Sequence, residues 1–277
     1  MSDKLPKSVP EKYGDIIAFG HNNIIKKGTY GADHLHGNTY KFNIITAGKG
    51  TFHINGVSRE VKEGDIHITF PFEHYKIEAD KDCDLFYNYI NLNVCDEVFS
   101  SKFACVWLSS QKKNIRIFHD EGIERIIESI VLEMNDSSRL YHDVVLSYLV
   151  NRFIISFTEL FRKNTEKSSG DFELCCNTIG YIDSHFYEIK DVEAISKSFN
   201  YSHDYLSKVF KKYTGISIEE YHRVRKLELA KLLLSQKSLS VTEISSRLYY
   251  SGVQSFSKAF KNHWGYSPKE YVDRLKK

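Results

Sequence analysis

The sequence is short of several features that would fix its class, and each shortage excludes something. Its five cysteines (Cys83, Cys95, Cys105, Cys175 and Cys176) are odd in number and include no C-x-x-C pair. That pattern offers no disulfide framework and no thiolate zinc site, and it fits unpaired thiols in a reducing compartment. No apolar leader opens the chain, since "MSDKLPKSVPEKYGD" is polar throughout. The most apolar stretch, "VVLSYLVNRFIISF", is broken by Asn151 and Arg152 and reads as too short for a bilayer. Together these absences point to a soluble, cytoplasmic protein with no membrane partner. Charge of one sign is missing too: 277 residues carry a net charge of only +2.

The charge that exists is unevenly placed. From Lys190 to Lys277, 17 Lys and Arg stand against 9 Asp and Glu, a local charge of +8 that leaves −6 on the preceding 189 residues. A basic third on a mildly acidic body suggests an end that binds polyanions. The length suggests two domains, and 42% hydrophobic residues can supply a core for each.

From about residue 20 to 100 the signals are those of short strands. "TFHINGVSREV" sets Asn55-Gly56 between alternating runs, the mark of a tight hairpin. "VKEGDIHITFPFEHYKI" adds a turn at Gly64 and a strand over Ile66–Phe70 that Pro71 stops. Regularly spaced antiparallel strands argue a small barrel or sandwich. Near residue 119 the period changes. Ile123, Ile126, Ile127, Ile130, Val131 and Met134 recur at helical spacing, as do Tyr141, Val144, Val145, Tyr148, Leu149, Phe157, Leu160 and Phe161. These two helices, within about 119–162, pack on the barrel and offer a homodimer seam. Residues 163–171 read as a linker, and everything from 172 to 277 reads as helical. Helix starts there carry the capping boxes Ser217-x-x-Glu220, Ser240-x-x-Glu243 and Ser267-x-x-Glu270, the last with Pro268 at the first helical position.

The C-terminal part repeats itself. "VEAISKSFNYS" (192–202) matches "VTEISSRLYYS" (241–251), and "SKVFKKYTGISIEEY" (207–221) matches "SKAFKNHWGYSPKEY" (257–271). Each copy has the spacing of a helix, a short turn and a second helix. In the second helices the apolar positions are Leu206, Val209, Phe210 and Tyr213, matched by Phe256, Ala259, Phe260 and His263. What faces outward is then His203, Asp204, Ser207, Lys208 and Lys211 in one copy. In the other it is Val253, Gln254, Ser257, Lys258 and Lys261. Hydrogen-bonding residues at a helix N-terminus, followed by lysines, suit a helix lying in a major groove.

On this repeat, and on "SLSVTEISSRLYYSGVQSFSKAFKNHWGYSPKEY" above all, residues 172–277 resemble the paired helix-turn-helix domain of the AraC/XylS transcription regulators. The resemblance implies that "IEEYHRVRKLELAKLLLSQ" joins the two units, holding both recognition helices against successive major-groove segments of double-stranded DNA about 34 Å apart. By position, Asp204, Ser207 and Lys208, with Val253, Gln254, Ser257 and Lys258, would reach base edges; Lys211 and Lys261 would sit near the backbone. The family usually has Gly in each helix–helix turn, where this chain has Asn200 and Tyr249. Tyrosine enters the left-handed region poorly, so the second turn is expected to be reshaped or strained.

Residues 30–78 resemble the cupin-type barrel that precedes such domains: "HLH", with His34 and His36, fits its first motif, and "PFEHY", with His74, fits its second. The resemblance implies a Glu shortly after the His pair in the metal-binding members. This chain has Tyr40 and Lys41 there. A cation opposes a divalent metal, so no metal and no cofactor is expected. His34, His36, Tyr40, Lys41, His74 and Tyr75 are instead candidates for lining a sensory pocket that takes a small polar effector such as a sugar. The resulting expectation is an α+β chain in two parts. A cupin-like sensing and dimerisation domain spans 1–162, and an all-α DNA-binding domain spans 172–277. It would act as a homodimeric regulator, with RNA polymerase as a partner if it activates. Two alternatives stay open: a metal-dependent cupin enzyme with an accessory helical domain, and a DNA-binding regulator with no small-molecule ligand.

Overall fold

The computed structural model describes residues 13–274 apart from 32–33, 36–38, 55, 72, 111–115, 166–168, 186–188, 190 and 237–238, with the backbone alone at 34–35, 162–165, 232 and 236. The chain divides into two compact units, Met1–Ser168 and Ser169–Lys277.

The first unit opens with eight strands: β1 (Gly14–Ile25), β2 (His34–Leu35), β3 (Tyr40–Ala47), β4 (Lys49–Ile54), β5 (Val57–Lys62), β6 (Ile66–Thr69), β7 (His74–Ala79) and β8 (Leu85–Val94). Helix α1 (Glu97–Ser110), the short strand β9 (Ile117–Phe118), α2 (Glu121–Asn135) and α3 (His142–Thr165) follow. Two antiparallel sheets result, ordered β1-β8-β3-β6-β9 and β2-β7-β4-β5. Strands β4 and β5 pair as the expected hairpin, with Gly56 at φ 81° in the turn; Asn55 lies outside the described residues.

The larger sheet is covered on both faces, and that decides how its strands read. Along β3 the side chains alternate. Phe42 packs edge-on against Phe103 of α1 and against Phe153 and Phe157 of α3, with centroids 6.5, 4.8 and 5.2 Å away. Its neighbours Lys41 and Asn43 are also buried, on the other face, toward the smaller sheet. At the far end of that inter-sheet space the filling is apolar, with Ile25, Ile45, Phe52, Ile54, Val61 and Leu85 in one cluster.

Some boundaries differ from the expectation. Strand β1 begins at Gly14 rather than near residue 20, and α1 occupies a segment without a helical stripe. Phe103, Ala104, Cys105, Val106, Trp107 and Leu108 of α1 are all buried; a run enclosed on every side shows no amphipathic period, although Val98 and Lys102 in the first turns are exposed. Helix α3 is also longer than "VVLSYLVNRFIISF" suggested. Its His142–Phe161 segment, with hydropathy 1.5, is long and apolar enough to cross a bilayer by length and composition alone. One side of it nonetheless packs on α1, α2 and β1, and Asn151 accepts a hydrogen bond from Tyr13 N at 3.0 Å. Val145, Tyr148 and Ile155 of α3 are exposed, as are Tyr141 just before it and Leu132 of α2. The expected linker is shorter than 163–171, since α3 runs to Thr165 and the next helix starts at Gly170.

The second unit is all helix: α4 (Gly170–His185), α5 (Val192–Ser198), α6 (His203–Thr214), α7 (Ile218–Gln236), α8 (Val241–Arg247), α9 (Val253–Trp264) and α10 (Pro268–Arg274). Helix α7 packs on α5 and α6 on one side and on α8, α9 and α10 on the other. Ser196 and Ser245, small residues at the crossings of each helix pair, are both buried. Asp183 of α4 anchors the first half. Arg225 Nε lies 2.8 Å from its Oδ1, the Tyr221 hydroxyl donates to it at 2.9 Å, and all three are buried. Capping boxes close fully at Ser240 and Ser267. At Ser217 the hydroxyl accepts from Glu220 N, but the Glu220 carboxylate turns to Arg223 instead.

Candidate DNA-binding face and effector cavity

Burial of Leu206, Val209 and Phe210 fixes which side of α6 looks outward. Asp204, Lys208 and Lys211, spaced four and three apart, form an exposed stripe. On α9, burial of Phe256 and Phe260 leaves Gln254, Lys258 and Lys261 exposed at the matching positions. The other four expected residues sit at the edges of these stripes, half-buried. His203 Nε2 lies 3.3 Å from Ser207 Oγ and 3.4 Å from Glu219 Oε1. Val253 and Ser257 border an open cleft of roughly 650 Å³ that Leu234, Leu239, Val241 and Val272 also line.

Both helix–helix turns end on the same pair of backbone bonds, from Asn200 N and Tyr201 N in one and from Tyr249 N and Tyr250 N in the other. The residue at the bend is left-handed each time, Asn200 at φ 56° and Tyr249 at φ 55°. The second turn therefore keeps its shape and carries strain, rather than being reshaped. One contact of α6 was not foreseen. The Tyr205 hydroxyl donates to Asp171 of α4 at 2.7 Å and Lys212 Nζ reaches it at 3.3 Å. That hydroxyl bond first, and the lysine second, hold the Asp171 carboxyl below its usual range.

Polar side chains of the larger sheet face the smaller one. Register sets Lys41 opposite Thr69 and Asn91, and Asn43 opposite His67 and Tyr89. Lys41 is buried; its Nζ donates to the Tyr75 hydroxyl at 2.7 Å and sits 4.1 Å over the Tyr89 ring. Burial lowers its pKa to about 8 and pushes the Tyr75 hydroxyl up. His67, wholly buried, stacks on Phe52 of the facing sheet with centroids 3.8 Å apart. Burial, and then the charges of Arg116, Arg59 and Lys41, hold it well below the usual histidine range, so the ring is neutral. Neither His67 ring nitrogen has a hydrogen-bond partner, and nor have Asn43 Nδ2, Thr69 Oγ1 and Asn91 Oδ1. Buried polar atoms are almost always satisfied, so this cluster stands out within the core. Beside it Arg116 grips Glu73 through two bonds of 2.6 Å. The Tyr89 ring lies across Gly20 so closely that any Cβ there would collide with it.

Of the six residues expected to line a pocket, the structure brings two together. Lys41 and Tyr75 come together. Tyr40 does not join them, because adjacent strand residues face opposite ways: its ring packs against Phe103 and Phe70, with centroids 4.8 and 6.1 Å away. His74 is exposed, one position from Tyr75, for the same reason. His34 pairs in register with Tyr75, and His36 lies outside the described residues. Asn43, His67, Thr69, Tyr89 and Asn91 were missed, although "IHIT" and "YNYINLN" do carry their alternation. Among the described residues no group of three His, Cys, Asp or Glu could hold a metal ion.

Comparison with known proteins assigns both units. The profile of the AraC-like ligand binding domain matches residues 27–150, and that of a helix-turn-helix domain matches residues 195–274. The chain belongs to the AraC family of transcription regulators. It is similar to the Msm operon regulatory protein of Streptococcus mutans, 27% identical over 84% of this chain and 83% of that one. It is also similar to the raffinose operon transcriptional regulatory protein RafR of Pediococcus pentosaceus, 25% identical over 93% and 92%. In three dimensions it shares a fold with apo ToxT K231A from Vibrio cholerae, with a TM-score of 0.53 and 15% identity over 93% of this chain and 97% of that one. As an AraC-family member it is a DNA-binding regulator whose N-terminal domain is of the ligand-binding type. Its two exposed stripes belong to the DNA-binding domain, and its polar inter-sheet cluster belongs to the ligand-binding one.

Proposed function

We propose that α6 and α9 enter two adjacent major-groove segments of one duplex. Asp204, Ser207 and Lys208, with Val253, Gln254, Ser257 and Lys258, would be turned to base edges, with His203 at the margin and Lys211 and Lys261 on phosphates. The observation that carries this is the exposed stripe repeated at the same three helical positions in both copies. The effector is a small polar molecule such as a carbohydrate, held between the sheets beside Lys41 and Tyr75; similarity to a raffinose operon regulator favours that class. The unit spanning 1–162 senses and dimerises, and the unit spanning 172–277 binds DNA. The exposed Tyr141, just before α3, and Val145, Tyr148 and Ile155 of α3 are the seam of a homodimer. The protein works in the cytoplasm without catalysing a reaction, and RNA polymerase is its partner where it activates.

Fluorescence anisotropy with DNA from the promoter beside its own gene tests the reading. Affinity should fall steeply with salt, and Lys211→Ala or Lys261→Ala should each reduce the log–log slope by about 0.9. Binding that ignores salt, or that prefers this DNA no more than random sequence, would overturn it. Tyr148→Glu should yield monomers in sedimentation; an unchanged dimer would move the seam elsewhere.

A further inference from the structure

We propose that the effector is an acid: a polyhydroxylated monocarboxylate of the hexuronate kind, its carboxylate meeting Lys41 and its hydroxyls meeting Asn43, His67, Thr69 and Asn91. This rests on the reading of the inter-sheet space as the effector site, and adds the charge of what enters it.

Lys41 is a buried cation whose contacts are a neutral phenol and an aromatic face. Among the described residues no carboxylate lies within ion-pair distance of it, and Glu73, the buried acid of the barrel, is committed to Arg116 through both oxygens. A buried charge without a partner is costly. A neutral ligand would leave that cost in place, whereas an anion removes it on binding. One uncompensated cation matches one negative charge; a phosphate dianion would bring a surplus.

The unpartnered atoms describe the rest of the molecule. Asn43 Nδ2 donates, Asn91 Oδ1 accepts, and Thr69 Oγ1 and the neutral His67 ring each do both. A mixed set of donors and acceptors suits hydroxyl groups, which also do both.

The test is isothermal titration of the full-length protein with matched probes: glucose, glucuronate and glucose 6-phosphate, then the three galactose counterparts. One of the two hexuronates should bind at least tenfold more tightly than its neutral parent. Lys41→Met should remove that advantage, and unchanged circular dichroism with a cooperative thermal melt shows that the variant is folded. Equal binding of acid and parent, preference for a hexose phosphate, or no binding of either uronate overturns the proposal. Asn91→Leu separates this failure from that of the underlying reading. Binding that survives Lys41→Met but is lost in Asn91→Leu keeps the cavity and discards the acid. Binding that survives both puts the effector outside the barrel.

Discussion

Helix α6 begins on Ser202, whose hydroxyl accepts from Tyr205 N, whereas α9 begins on Gly252, which makes no side-chain cap. The turn before α6 bends at an asparagine, the turn before α9 at a tyrosine, both near φ 55°. The first copy is fastened by Asp183 within the fold and by Asp171 at its edge. The second rests on a looser contact of α7, Lys231 Nζ lying 3.7 Å over the Trp264 ring. Outward, the first presents an acid at Asp204 where the second presents the amide of Gln254. What survives in both is the buried layer: Ile195 and Ile244, Ser196 and Ser245, Leu206 and Phe256, Phe210 and Phe260. Packing and backbone course are thus shared, while caps, ties and reading chemistry have drifted apart. The first copy is the better fastened and the second has the better chemistry for base contacts, since an amide can make two bonds to adenine.

The largest effect should come from the tie that only the first copy has. Asp183→Ala leaves Arg225 buried without its partner and should cost about 3–5 kcal/mol, while Lys231→Met, in the second half, should cost about 1 kcal/mol or less. Calorimetry of the full chain measures both; equal losses would break the asymmetry. Next is the reading face. Gln254→Ala should cost about 1–3 kcal/mol of binding to the operator and relax preference at one base pair. Asp204→Ala, which removes a charge that phosphates repel, should bind DNA at least as well as the parent in the same anisotropy assay. A comparable loss in both would mean that Asp204 reads a cytosine and that the copies work alike. Smaller still is the strained turn. Tyr249→Asn should stabilise the protein by about 1 kcal/mol, and Asn200→Tyr should destabilise it by a similar amount; no change in melting temperature for either would show that the bend is relaxed. Smallest are the caps: Ser202→Ala should cost up to about 1 kcal/mol, and Gly252→Ser should gain a few tenths, both measured by thermal melts.

The C-terminal unit was legible because its signals are local. A repeat, its caps and its helical stripes all lie within a few residues of the structure that they specify, and "IEEYHRVRKLELAKLLLSQ" coincides with α7. Even there Ser217 shows the limit, for nothing in S-x-x-E reveals that Arg223 will take the glutamate. The barrel was legible as strands but not as a pocket. Alternation is normally read as apolar in and polar out, yet β3 sends Phe42 to the helices and Lys41 and Asn43 to the space between the sheets. Once helices cover the outer face, the polar residues of β3 become interior. Motif matching took strand neighbours together, yet Tyr40 faces away from Lys41 and His74 away from Tyr75. Helix α1 left no mark because its second half, Phe103–Leu108, is buried all round.

That inverted strand has a mechanical consequence. Lys41 and Asn43 flank Phe42, so the groups proposed to hold an effector and the ring that meets α3 are consecutive links of one chain, joined by planar peptides. The lever between them is a single residue long. On its far side, α3 turns Tyr148 and Ile155 outward. A molecule between the sheets and a second copy against α3 would therefore push on opposite ends of the same short beam. Whatever one does to the affinity of the other must be returned by the same factor.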